Sequence, residues 1–130
     1  MSDITITVVS NLFGAIKAQL KQDLADIVQD TAMGIEADWK WRMSEPKSGI
    51  VYKRKGRTHQ ASAPGEAPAM DTGNYANSIQ VHRISDMEAE VGTSVDYAAI
   101  LEFVKNRPAM IPAAEKAEKQ FLKDVKDLLG

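Results

Sequence analysis

The 130 residues are 44% hydrophobic and 26% charged, a length and balance that suit one globular domain and exclude disordered and fibrous chains. The longest uninterrupted apolar run, residues 97–101, falls far short of the roughly 20 residues that cross a bilayer. The opening Met1-Ser2-Asp3 lacks the basic and apolar regions of a secretory signal, and the absence of cysteine excludes disulfides and thiolate metal sites.

The net charge of −2 hides a segregation. Residues 47–59 hold five cations (Lys47, Lys53, Arg54, Lys55, Arg57) and no acid, against 11 basic and 18 acidic residues in the rest of the chain. Along the chain, Ile4, Ile6 and Val8 alternate with Thr5 and Thr7, the period of a strand with one buried face. The period then changes: Phe13, Ile16, Leu20, Leu24, Ile27, Thr31, Ile35 and Trp39 recur every three or four residues and predict one long helix. Ser10 or Asn11 caps its start, Pro46 ends it and Gly34 is its weak point, where it kinks unless part of it projects to a neighbour. Trp41 lies off this stripe and reads either as a boundary residue or as an anchor between subunits.

Two short strands joined by a turn at Lys55-Gly56 fit the basic segment, and the stretch ASAPGEAPAM at residues 61–70 predicts an extended arm. Having little apolar surface to bury, that arm is expected to be mobile until neighbours order it through Pro64, Gly65 and Pro68. Asp71 or Thr72 caps a short helix over residues 73–78, which Ser78 closes. Ile79 and Val81 then pair with Met87, Ala89 and Val91 as an antiparallel hairpin with Glu88 and Glu90 facing outward. A short apolar helix over residues 96–104 carries Tyr97, Ile100, Leu101 and Phe103 on its faces, and with Tyr97, Leu101 and Phe103 it is expected to pack on the sheet as core. After Pro112, the spacing of Ala113, Ala117, Phe121, Val125 and Leu128 predicts an amphipathic C-terminal helix with Glu115 and Lys119 as an i, i+4 pair. The fold class is therefore α+β: a long N-terminal helix and C-terminal helices packed on a small antiparallel sheet, with a basic hairpin and arm at about residues 47–71.

Catalytic chemistry has little to build on. There is no phosphate-cradling glycine loop, no HExxH and no nucleophile elbow. His59 and His82 stand apart in sequence, Ser62 and Ser78 lack an activating pattern, and the acid pairs Glu88/Glu90 and Glu115/Glu118 read as solvated faces. No catalytic activity, cofactor or metal is expected. The cationic tip has two readings: a solubilising loop, or a contact for phosphate oxygens or an acidic surface through Lys53, Arg54, Lys55 and Arg57 beside Tyr52.

Four segments occur in a characteristic order: Ala61-Ser62-Ala63-Pro64-Gly65-Glu66-Ala67-Pro68, then Thr72-Gly73 through Ser78-Ile79, then Val91-Gly92-Thr93 through Tyr97-Ala98 to Leu101-Glu102-Phe103, and then Arg107-Pro108 before Pro112. This order resembles the tailed-phage head–tail joining family, also described as neck or tail-completion proteins, over about residues 57–125. The sequence departs from that pattern at Val104-Lys105 and at Ala109-Met110. The resemblance implies a non-enzymatic virion protein, assembled in the host cytoplasm. It further implies a homo-oligomeric ring, sixfold by preference, between head-closure or connector proteins and tail terminator or tail tube proteins. Non-specific contact with packaged DNA through the basic tip, and no membrane association, belong to the same expectation. The alternative reading of the residues is a small nucleic-acid-binding module that uses the basic hairpin at residues 47–59.

Overall fold

A computed structural model describes residues 4–9, 18–54, 56–69 and 73–130. The elements run β1 (Ile4–Val9), α1 (Ala18–Ser44), β2 (Val51–Arg54), β3 (Arg57–Gln60), α2 (Asn74–Ser78), β4 (Gln80–Ser85), β5 (Glu88–Thr93), α3 (Ala98–Phe103) and α4 (Met110–Leu129). The α+β architecture is as the periodicities predict, with α1 and α4 packed on a three-stranded antiparallel sheet of order β1-β5-β4. The basic hairpin, β2 and β3, forms its own two-stranded sheet.

The alternation in β1 has the expected consequence. Ile4 and Val8 are buried opposite Thr93 and Ala89 of β5, and Ile6 lies opposite Val91, so one face of the ribbon is apolar. β4 closes the other side of β5, pairing Val81 with Val91. Its outer edge carries a register shift between Arg83 and Ser85, the kind of irregularity that discourages edge-to-edge association. The turn that follows is clasped by α1, since Gln29 Nε2 donates to the carbonyls of Ser85 and Asp86 at 3.0 and 3.2 Å.

α1 lies against β1, β4 and β5 on one side and α4 on another. Its buried residues are Leu24, Ala25, Val28, Ala32, Ile35, Trp39 and Met43. The stripe read from the larger side chains is therefore rotated: Leu24, Ile35 and Trp39 are buried as expected, but Val28 and Ala32 occupy the centre while Ile27 and Thr31 are half-buried flanks. Thr31 tolerates that position because its hydroxyl donates to the Ile27 carbonyl at 2.7 Å. The helix runs unbroken through Gly34, so the expected weak point is not an interruption. The expected cap at Ser10 or Asn11 lies outside the described residues, as do Phe13, Ile16, Asp71 and Thr72. The observed N-cap of α2 is Gly73, and Ser78 closes that helix by donating to the Tyr75 carbonyl at 2.6 Å.

α3 differs from the expectation. It is six residues long and is covered through Ala98, Glu102 and, in part, Ala99 and Leu101. Tyr97, Ile100, Phe103 and Val104 face solvent, at 44%, 48%, 62% and 72% exposure. They are not core. Instead, the buried side of α3 presents a carboxylate: Glu102 Oε1 accepts from the N–H groups of Ala109 and Met110, both at 2.9 Å, and Oε2 from Ile111 at 3.0 Å. A helix start leaves four backbone donors without partners and carries partial positive charge. Here Glu102 takes three, the fourth position is Pro112, which has no N–H, and the helical ladder then begins with Ala113 N–H to the Ala109 carbonyl at 3.2 Å. α4 thus begins three residues before the start expected from its spacing. Ala113 is buried and Ala117, Phe121, Val125 and Leu128 are half-buried, so its apolar face is the one expected. Its charge pairing differs: Lys116 reaches Asp38 of α1 at 3.7 Å, and among the described residues no ion pair joins Glu115 and Lys119.

Two outcomes test this packing. A Cβ at Gly34 meets nothing within 4 Å, so Gly34→Ala should stabilise the protein by about 0.5–1 kcal/mol in a denaturant melt. Glu102→Ala removes one acceptor group from three backbone donors and should cost roughly 2–4 kcal/mol in the same measurement.

Candidate functional site

The basic segment folds as the sequence predicts, with Val51, Tyr52, Lys53 and Arg54 registered against Gln60, His59, Thr58 and Arg57 and with Lys55-Gly56 as the connection. Lys55 itself lies outside the described residues, and Lys53 is exposed. The register sets Arg54 directly opposite Arg57. Two pairs further in, the rings of Tyr52 and His59 meet edge to face with centroids 5.2 Å apart. Ile50 is 79% exposed, and Val51 and Tyr52 are exposed beside it. The hairpin therefore leaves the body with both cationic and apolar groups uncovered.

Its base is fastened on the body. Gly49 N–H donates to the Ala61 carbonyl at 2.9 Å and Ala61 N–H to that of Ile50 at 2.8 Å. This approach requires glycine, because a Cβ at position 49 would sit 2.5 Å from the Ala61 oxygen. The segment that follows is not the free arm expected from its composition. Ala63-Pro64-Gly65-Glu66 makes a tight turn closed by Glu66 N–H to the Ala63 carbonyl at 3.0 Å, with Gly65 at a φ of 88°, the conformation that glycine after proline supplies in a type II turn. The turn docks on the loop between α3 and α4: Gly65 N–H donates to the Asn106 carbonyl at 2.8 Å, and Arg107 Nε donates to Ser62 Oγ at 2.8 Å.

These bonds order residues 61–69 within the chain itself. Ala67 and Pro68 are buried, so Pro68 is taken up by its own subunit instead of being free for a neighbour, whereas Pro64 and Gly65 remain exposed. Trp41 is 59% exposed, consistent with its place off the helical stripe.

Glu66, which composition alone does not single out, is the clamp. Oε1 accepts from the Ala63 N–H at 2.6 Å and the Ser48 N–H at 3.1 Å, and Oε2 accepts from the Ser48 hydroxyl at 2.9 Å. It ties the strand entering the hairpin to the turn leaving it. The N–H groups of Ala63 and Ser48, then the Ser48 hydroxyl, hold its carboxyl below the ordinary carboxylate value. Beside it, partial burial lowers the Lys47 ammonium, whose Nζ donates to the Arg42 carbonyl at 2.6 Å.

Exposed α3 is connected to the core by aromatic contacts. Tyr97 meets Tyr75 edge to face at 6.0 Å, and Tyr75 meets Trp39 at 6.2 Å and accepts the indole N–H at 3.3 Å. Burial pushes the Tyr75 phenol well up from its ordinary value, so it stays neutral. On the far side of α1, a groove of about 340 Å³ toward α4 is lined by Asp30, Asp38, Lys116 and Asp124 among others. Asp38 there is already paired with Arg42 at 2.7 Å, and among the described residues no group of three or more potential ligands is arranged to hold a metal ion. No described helix is long and apolar enough to cross a membrane.

No protein-family model, curated protein or solved structure matches this chain. The site is therefore read on its own geometry: an exposed hairpin with a cationic end, clamped at its base, and the uncovered apolar side of α3.

The clamp sets a pH dependence. Because the Glu66 carboxyl is lowered in the folded chain, its contribution is fully present above the ordinary value of 4.5 and is lost as pH falls through the lowered one. The amide resonances of Ser48 and Ala63 should shift together in that acid range in an NMR titration. At neutral pH, Glu66→Gln should speed tryptic cleavage at residues 53–57 while leaving the rest of the chain protected.

Proposed function

We propose that this chain is a non-enzymatic structural subunit of a tailed-phage virion. It forms a ring at the head–tail junction or the top of the tail and serves tail completion and head–tail joining. The order of four motifs supports that family, and the observation that carries the assembly part is the exposure of α3. Phe103 at 62% and Val104 at 72%, with Ile100 and Tyr97 beside them, make an apolar surface of a kind that marks association sites. The exposed Ile50, Val51 and Tyr52 of the hairpin add a second apolar region that the chain does not cover with its own elements. Two different uncovered regions on one subunit suit head-to-tail contacts, which close into a ring when the rotation between copies allows it. Six copies is the favoured count. The neighbours in this reading are head-closure or connector proteins on one side and tail terminator or tail tube proteins on the other, with assembly in the host cytoplasm and retention in the virion.

A second reading, a nucleic-acid-binding module, is favoured by one observation: the Tyr52–His59 ring pair lies on the same short ribbon as the exposed Lys53, in a segment of five cations and no acid, a combination suited to phosphates and bases. The two readings separate in one set of measurements. Mass photometry and sedimentation across a concentration series should find a closed ring in the first, whereas duplex-DNA affinity of a monomer falling steeply with salt marks the second. Phe103→Asp with Val104→Asp changes exposed positions only, so the melting midpoint should stay within about 0.5 kcal/mol of wild type. Ring formation, and the yield of tail-bearing particles in complementation of a null mutant, should drop at least tenfold by the same arithmetic that makes each 1.4 kcal/mol of lost contact about one decade.

A further inference from the structure

The solvent side of α1 carries an apolar stripe of its own. Met33, Ala37 and Trp41 recur every fourth residue and are all exposed, so they follow one line along the helix. Trp39, two residues on from Ala37 and so about 200° round a helix of 3.6 residues per turn, is buried on the opposite side. Exposed Asp30 lies about one turn before the stripe, and Lys40 stands beside its far end in an i, i+4 pair with Glu36 at 3.6 Å. α3 carries a second short line: Tyr97, Ile100 and Phe103 are exposed at every third residue, with exposed Asp96 before them and exposed Lys105 after. It belongs to the other side of α1, since Tyr97 meets Tyr75 and Tyr75 meets the buried Trp39. The side chains of Asp30, Asp96 and Lys105 make no hydrogen bond or ion pair among the described residues.

Resting on the ring reading above, we propose that α3 of one copy packs antiparallel on the exposed α1 stripe of the next, with Lys105 against Asp30 and Asp96 against Lys40. The charges set the register. At the helical rise, Asp96 and Lys105 are about 14 Å apart and Asp30 and Lys40 about 15 Å, so both pairs form together. That register brings Tyr97 to Trp41, Ile100 to Ala37 and Phe103 to Met33: a ring pair at one end, a thioether against a ring at the other, and a small residue opposite the branched one between them. A second copy is the occupant because both halves of the match, apolar and charged, are on this chain. The halves lie on opposite sides of α1, so a chain does not satisfy them on itself, and the contact runs head to tail as a closing ring requires. Trp41 is then an anchor between subunits.

The chain has no cysteine, so introduced cysteines report the contact directly. With the full chain under mild oxidation, a mixture of A37C and I100C should give a disulfide-linked dimer at least about tenfold more than either variant alone, because only the mixed pair brings the two positions within bonding reach. Both positions are exposed, and circular dichroism checks that the variants fold. In sedimentation, K105E and D30K should each weaken self-association about tenfold, whereas D30K/K105E on one chain should return to within about threefold of wild type, every contact then having its charges exchanged. An assembled wild type that gives no mixed cross-link, is indifferent to both reversals, or is not restored in the double variant overturns this contact and leaves the ring reading in place. Preferential linkage of A37C to itself pairs α1 with α1 across a twofold axis and also overturns it. A wild type that is monomeric at every concentration overturns both the contact and the ring.

Discussion

The structure depends on covering one side of a three-stranded sheet with a single long helix. Ala89 and Val91 of the central strand have no exposure, nor do Val28, Ala32 and Trp39 of α1, and the two sets belong to one buried cluster. A sheet this small has little else to bury, so the free energy of folding is concentrated in this contact. Everything functional is arranged around it: the hairpin follows the C-terminal end of α1, and α3 is linked to Trp39 through Tyr75. Small residues make the close fit. Ala25, Ala32, Ala89 and Ala113 are all buried, which lets helices and strands approach where larger side chains would hold them apart.

Two carboxylates then hold the parts that the core does not reach. Glu102 satisfies the start of α4 from a different helix, and Glu66 joins both ends of the hairpin. In each case one side chain accepts from three donors, which fixes the geometry of two chain segments at once. Neither carboxylate resembles an acid–base group in use, because its oxygens are occupied by donors belonging to the fold. Their consequence is positional: the apolar side of α3 and the cationic hairpin are presented on a frame that does not depend on loop flexibility.

What remains uncovered is unevenly distributed. The inner sheet face is sealed, while Tyr97, Ile100, Phe103 and Val104 at α3 and Ile50, Val51, Tyr52 and Lys53 at the hairpin are exposed. Two separate uncovered apolar regions on one small subunit are compatible with the head-to-tail association proposed above. That physical logic supports the proposed assembly role independently of the sequence resemblance, on which alone the proposal of a virion context rests.

Much was legible in sequence because it is local. The alternation of Ile4, Ile6 and Val8, the three-to-four spacing along α1 and α4, the Lys55-Gly56 connection and the Ala89/Val91 alternation each follow from backbone periods that a few neighbouring residues express. The same holds for the Pro64-Gly65 turn, whose residue types are present even though composition suggested a free arm. Tertiary structure alone decided which apolar residues found a cover. α3 has fewer than two turns, too few to define a stripe, so only its long-range contacts set Ala98 and Glu102 inward and left Phe103 and Val104 outside. The roles of Glu66 and Glu102 were equally hidden, because their donors Ser48, Ala109, Met110 and Ile111 lie 18, 7, 8 and 9 residues away, and a carboxylate's partners are set by where the chain folds back.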